Sequence, residues 1–558
     1  MTWHPKMGTP RRDFLHLAAG AVFLPQIASV STAEAKAPGK AAPQSTSNGR
    51  SADQAFEPLP YTAVDELSLA KGFSWTPLAS VGDIINAKGD RFGDCCDFTA
   101  FLPGDDAHHG FLWVNHEYIV PFVHAGRRLT AADRTRAAID AEQKLVGGSL
   151  LEIRRQPPKS SLAKPGPWQL VSNSVKAFRI DATTPLPLVG PAGGRTARGT
   201  MGNCGGGTTP WGTILSGEEN VDIYYTKELG EDSYGWGRFY DVPEEDYGWV
   251  VEIDPKTGTG RKLTALGRFA HEGATVAKAK DGRVVVYMGD DAAGQCLYKF
   301  VSTGRLSGDA SRDKELLLEG QLFCADLKAG AWRLLSPENP KLTAAGRESP
   351  QLFGSLAAIL RNARAAAKVA GGTPLNRPED IKIHPQDATV YFALTNNASA
   401  GDFHGQVVML QEDNKDHGAM AFTYDSYLVG GPSRGFSCPD NLCFGPGDSL
   451  WVCTDISGTS MGKGVHASFA RNSVVRLEHD PRTKVTQARH FLQTPFEAEV
   501  TGPSFSPDGS TFFLSIQHPG EFSFQLSKGF SSHWPRGGSH APLSTVIAVT
   551  ESGASFKA

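Results

Sequence analysis

The 558-residue chain is short of the local signatures that usually fix a chemistry. It contains no phosphate-binding P-loop and no His-Glu-x-x-His zinc helix. Its eight cysteines, at positions 95, 96, 204, 296, 324, 438, 443 and 453, include no Cys-x-x-Cys pair and no zinc-ribbon spacing. Charge of one sign is missing as well. The 55 Lys and Arg against 59 Asp and Glu leave a net charge of −4, which supports neither a basic nucleic-acid surface nor an acidic disordered tail. The apolar run from Leu17 to Val30 is too short, and too interrupted by Gly20 and Pro25, to span a bilayer. Helical patterns are few; two Ala-rich stretches, 129–145 and 356–369, carry apolar residues at helical spacing.

What is present is strand and turn. Gly 61 and Pro 36 suit many tight turns, and apolar runs such as Arg283 to Met288, Val390 to Leu394 and Thr511 to Ile516 follow turn residues such as Asp281-Gly282 and Asp508-Gly509. Six stretches repeat one design: an entry segment with a polar or metal-competent residue, a tight turn, and an apolar strand ending in a polar residue. They start at Phe92, Gly202, His271, Arg377, Ser437 and Glu499. Within them Asp97, Cys204, Glu272, Glu379, Asp440 or Thr501 precedes Asn115/Glu117, Glu219, Asp290/Asp291, Asn396/Asn397, Asp455 or Gln517/His518 by about 15 to 20 residues, the span of a hairpin whose ends return to one edge. Radial arrangement of six hairpins gives an all-β, six-bladed propeller with irregular insertions, in which those ends converge on one axial face. The spacing between units is irregular, so motif order carries the expectation rather than a fixed period.

Convergent carboxylates cannot coexist buried without cations between them. A polynuclear metal centre is therefore expected from Glu219, Glu272, Asp291, Glu379 and Asp440, against the alternative of solvated turn acids. Cys204, followed by three glycines, is either a ligand beside which the backbone packs closely or a small buried residue. Arg377 and Glu379 share one face of an extended segment; Arg377 then either grips a tetrahedral oxyanion or pairs with Glu379 or Asp380. His271 is a ligand, an acid or a packed imidazole.

At the N-terminus, Thr9-Pro10-Arg11-Arg12-Asp13-Phe14-Leu15, the weakly apolar run and Ala33-Glu34-Ala35 resemble a twin-arginine export signal with its cleavage site. The expected layout is a signal at 1–35, a flexible linker at 36–57 and one domain from 58 to 558. The expected location is the periplasm or beyond, by way of the twin-arginine machinery and without a membrane anchor.

The strings Asn203-Cys204-Gly-Gly-Gly-Thr-Thr-Pro-Trp211, Gly217-Glu218-Glu219-Asn220, His271-Glu272-Gly-Ala, Met288-Gly-Asp-Asp291, Arg377-Pro-Glu379, Thr395-Asn-Asn397, Pro439-Asp440 and Ile516-Gln-His-Pro-Gly-Glu521 resemble, in order, the PhoX-type alkaline phosphatases. The resemblance implies a monomeric six-bladed propeller that hydrolyses phosphomonoesters. It implies two Fe3+ and three Ca2+ ions, with a bridging oxo group as nucleophile. By position Cys204 is the iron-ligating thiolate; Glu219, Glu272, Asp291, Glu379, Asp440 and Asp97 lie around the metals, and Arg377 is the catalytic residue that binds substrate phosphate. Where the family carries two Asn before the Asp, this chain has Cys95-Cys96. A calcium-dependent lactonase or phosphodiesterase and a non-catalytic scaffold remain the alternative functions for such a propeller.

Overall fold

Each of the six expected hairpins opens a sheet in the computed structural model. It describes residues 56–557 apart from 63, 128, 159, 161–164, 226–232, 481–484 and 524–528. The expected signal and all but the end of the expected linker lie outside the described residues. Phe56, within the stretch expected as linker, is in the core, stacked on Trp451 and edge-on to Phe73 and Phe491.

The hairpins are Cys96–Pro103 with His109–His116 (blade I), Asn203–Thr208 with Ile214–Glu218 (II), His271–Lys278 with Arg283–Asp290 (III), Pro378–Ile383 with Val390–Leu394 (IV), Pro439–Phe444 with Leu450–Thr454 (V), and Glu499–Phe505 with Thr511–Gln517 (VI). In every blade the first strand is innermost and further strands add outward. Consecutive inner strands touch from I round to VI and back to I, so the ring is closed. The closing device joins distant sequence: Phe73–Ser80 completes blade VI by pairing antiparallel with Thr545–Glu551, and Ser68–Leu69 completes blade V. Covering both edges in this way removes sites for unwanted strand addition.

Six apolar clusters fill the six gaps between blades, which explains why the strand runs are continuously apolar rather than alternating. In blade III, Val284, Val286 and Met288 face blade II beside Leu215 and Val250, while Val285 and Tyr287 face blade IV beside Ile381 and Phe392. Blades I and II share Trp113 and Ile214; IV and V share Val407 and Val452; V and VI share Trp451 and Phe512; VI and I share Phe513 and Leu112. Burying a side chain of this size contributes about 1.5–3 kcal/mol. The two Ala-rich stretches form helices, Arg136–Glu142 in the first and Leu356–Arg361 followed by Ala363–Ala370 in the second, both between hairpin units as insertions.

Candidate metal and phosphate site

A β-bulge interrupts each inner hairpin near its axial end and aims side chains at the centre. In blades I, II, IV and V the last regular pairs before the bulge are Cys96–His116, Asn203–Glu218, Pro378–Leu394 and Pro439–Thr454. The next inner-strand residues are Asp97, Cys204, Glu379 and Asp440. In blades III and VI the last pairs are Glu272–Gly289 and Thr501–Ser515. The residues that follow are Gly273 and Gly502, at φ 73° and 60°. A left-handed glycine opens these two bulges, and the side chain that reaches the centre comes one residue earlier. The six positions matched in sequence thus form four of one kind and two of another.

Two residues before the bulge, Cys95, Gly202, Arg377 and Cys438 all have positive φ: 36°, 61°, 56° and 53°. Non-glycine residues held there carry roughly 1–3 kcal/mol of strain, a cost that clusters at functional sites. The glycines after Cys204 allow close blade contact, and Gly205 also leaves room for the Glu272 carboxylate, whose Oε1 would lie 2.8 Å from a Cβ there. A Cβ on Gly205 would lie 2.2 Å from Gly273 N, and one on Gly207 2.0 Å from Ala274 O, so their absence lets the inner strands of blades II and III approach.

The convergence is a chain of four three-residue groups, each with its ligand atoms within 4.8 Å of one another: Asp97–Glu117–Cys204, Cys204–Glu219–Glu272, Glu272–Glu379–Asp440, and Asp440–Asp455–Glu499. Cys204, Glu272 and Asp440 are each shared by two groups, and all nine residues are buried. Surrounding polar groups hold them in place. Cys204 Sγ donates to Asp97 Oδ2 at 3.3 Å, and Asn115 Nδ2 donates to the Cys204 carbonyl at 2.6 Å. Thr395 Oγ1 donates to Glu379 Oε1 at 2.8 Å, and Thr501 Oγ1 bridges Asp97 and Asn441.

Burial, followed by the charges of Glu379, Asp440, Glu219 and Asp97, pushes the Glu272 carboxyl well above the usual carboxylate range. Its Oε2 is buried and has no hydrogen-bond partner. Burial, then Asp97, Glu117, Glu272 and Glu219, likewise drives the Cys204 thiol far up. A cation between these groups would relieve that repulsion, and the donors suit two kinds: carboxylate oxygens for hard ions, one sulfur for a softer one.

Of the sequence-predicted metal residues, Asp97, Cys204, Glu219, Glu272, Glu379 and Asp440 come together in this chain of groups. Asp291 takes a different place. Its two oxygens accept from Arg377 Nε at 2.7 Å and Nη2 at 2.8 Å, and Nη2 also donates to Glu379 Oε1 at 2.9 Å. Arg377 therefore pairs with Glu379 but not with Asp380, which instead binds Lys382 and the Leu442 amide. His271 is a packed imidazole: Nε2 bonds the Gly267 carbonyl at 2.9 Å, the ring lies on Phe269, and burial lowers its pKa to about 3. Glu117, Asp455 and Glu499 join the groups without having been assigned to the metals. The signal for Glu117 and Asp455 was their place at the end of a hairpin's second strand, shared with Glu219. A cleft lined by Glu219, Asp222, Arg268, Asp291 and Arg364 opens beside the Asp291 carboxylate that holds Arg377. The string Gly458-Thr459-Ser460-Met461-Gly462 matches a hydrolase nucleophile elbow, but it lies in turns after blade V's second strand, without the strand-to-helix context that chemistry needs.

Six blades closed around buried carboxylates and one thiol define a β-propeller whose centre carries groups that could hold metal ions. The family model described as Alkaline phosphatase PhoX matches residues 54–520, and the chain belongs to that family. The solved structure of Pseudomonas fluorescens PhoX in complex with vanadate, a transition state analogue, is 30% identical, with 90% of this chain and 99% of that chain covered and a TM-score of 0.78. A Xanthomonas campestris gluconolactonase is 10% identical, covering 86% of this chain and 97% of its own, and its TM-score of 0.30 informs neither fold nor site. No curated protein sequence matches the chain.

Proposed function

We propose that this chain is a metal-dependent alkaline phosphatase that hydrolyses phosphomonoesters at the axial centre. It is a phosphatase by family, and the observation that carries the proposal is the unbroken chain of shared carboxylate and thiol groups, touched at Glu379 by the Arg377–Asp291 pair. Cys204, Glu219, Glu272, Glu379, Asp440 and Asp97, with Glu117, Asp455 and Glu499, would hold the cations, two Fe3+ and three Ca2+ in this reading. The thiolate of Cys204 serves iron and the carboxylate oxygens serve calcium. Bound there, the cations supply neutralisation of phosphate charge and an activated oxygen nucleophile.

The chain's own residues do the rest. Asp291 and Glu379 fix the guanidinium plane of Arg377 before substrate arrives, so that it meets the equatorial oxygens of the phosphoryl group without reorganising. The closed ring of apolar clusters keeps the centre dry, which strengthens every charge interaction within it. The cleft beside Asp291 accepts the leaving alcohol. A calcium-only lactonase or diesterase leaves the sulfur at the junction of two groups without a role.

No helix among the described residues is long and apolar enough to cross a membrane. The arginine pair and weakly apolar run at the N-terminus support export through the twin-arginine machinery to the periplasm or beyond, with a signal at 1–35, a linker, and a monomeric propeller. The test is phosphate release from p-nitrophenyl phosphate at alkaline pH before and after chelation. Activity that chelation leaves intact would refute the proposal.

A further inference from the structure

Gln517, at the end of blade VI's second strand, is fully buried, and its two amide ends are treated unequally. Nε2 donates to Asp97 Oδ2 at 3.0 Å and to Glu117 Oε2 at 3.1 Å, while Oε1 is buried with no hydrogen-bond partner. Asp97 and Glu117 are two members of the group completed by Cys204. Facing two carboxylates, an amide can only donate, so its positive end stands between two negative groups as a cation would. Leaving the carbonyl end buried and unpaired is the cost of that arrangement.

Position in the blade points the same way. In blades I, II and V the residue just past the last pre-bulge pair on the second strand is Glu117, Glu219 or Asp455, each a member of a cation group. Blades III and VI, whose bulges open on glycine, are offset by one, and the corresponding residues are Asp291 and Gln517. Asp291 holds Arg377; Gln517 meets the Asp97–Glu117 end of the cluster.

We propose that Gln517 is a ligand of an oxygen-preferring divalent cation of the calcium class held by Asp97 and Glu117, reached by rotation of its amide. The inference rests on reading the centre as a cation site. When the cation neutralises the two carboxylates, the Nε2 bonds lose their purpose. A half-turn about the terminal side-chain bond exchanges the amide's two ends and presents Oε1 to the ion, with no change in volume. One movement gives the unpaired oxygen the ion as partner and adds a neutral oxygen donor to two carboxylates, with the Nε2 end taking over the unpaired place.

The test is calcium binding to chelated protein, measured by equilibrium dialysis with elemental analysis and by Tb3+ luminescence, with folding checked by circular dichroism. Q517L, similar in volume but without an amide, should lose one calcium per chain or bind it about 10- to 100-fold more weakly. Q517E, which adds a charged oxygen donor at the same place, should bind at least as tightly as the unaltered protein. Unchanged stoichiometry and affinity in Q517L overturns the proposal. Should Q517L fail to fold, Q517E decides: binding weaker than in the unaltered protein overturns it as well. Unaltered protein that binds calcium but releases no phosphate would sink the phosphatase reading and leave this one standing, whereas unaltered protein that binds no calcium would sink this one.

Discussion

Asp291 holds Arg377 by two bonds, Nε to Oδ1 at 2.7 Å and Nη2 to Oδ2 at 2.8 Å, with the Asp291 side chain only 2% exposed. Two-point pairing fixes the plane as well as the position of the guanidinium. Asp291→Ala should therefore lower kcat/KM for phosphomonoesters by about 10- to 100-fold, as loss of an orienting partner does, while bound metal stays unchanged. Steady-state kinetics with elemental analysis of the same sample check this. A loss of metal would assign Asp291 to the cation shell instead.

Arg377→Ala separates phosphate handling from metal binding in the same way. The expected result is retained metal with weakened inhibition by inorganic phosphate and a raised KM. If metal is stripped, Arg377 is structural, and its left-handed backbone, φ 56°, reflects the bulge alone.

Cys204 carries the division between soft and hard ligands. Without a cation its thiol is driven far up by burial and four carboxylates, so the sulfur is protonated. Cys204→Ala should lose iron and activity together while retaining calcium, read by elemental analysis and the absorption spectrum. An iron-free variant with full turnover would contradict this.

The raised carboxyl of Glu272 makes the chelated protein pH-sensitive in a definite direction. A folded-state pKa above the unfolded one means that the native state binds more protons, so stability is present below about pH 4.5 and is lost as pH rises. The melting temperature of chelated protein should fall on moving from pH 5 to pH 8, and metal should abolish that fall. His271, lowered to about 3, acts oppositely: its contribution is present above about pH 6.5 and lost on acidification. A flat profile for chelated protein between pH 5 and 8 would mean that the carboxylates are not clustered.

Outside the site, Lys299 and Glu412 form a fully buried pair at 2.7 Å that ties blade III to blade IV, with Tyr287 and Trp332 also donating to Glu412. Burial holds the Lys299 pKa down to about 8. Glu412→Ala should destabilise the fold by about 3–5 kcal/mol by stranding the lysine, with Lys299→Met/Glu412→Leu recovering much of the loss in a denaturant titration.

The six hairpins were legible because each is local: turn residues such as Asp281-Gly282 and Asp508-Gly509 and the apolar runs beside them lie within about 25 residues. Closure was not. Phe73 pairs with Glu551 and Ser80 with Thr545 across nearly the whole chain, and nothing in either segment names its partner. The site divides similarly. Residues at the first bulge position stood out by recurrence, but the offset in blades III and VI depends on whether glycine opens the bulge; at the offset place Asp291 bonds Arg377, and Gln517 bonds Asp97 and Glu117. Glu499 went unassigned because its strand has two further pairs before the bulge, at Val500 and Thr501, and resembles no other blade there.

The most direct test of the account is the metal content of the purified mature protein, followed through chelation and reloading while phosphate release is measured. The expected result is iron and calcium together in the active protein, loss of turnover on chelation, and recovery only when both metals return. Full turnover by metal-free protein would contradict it.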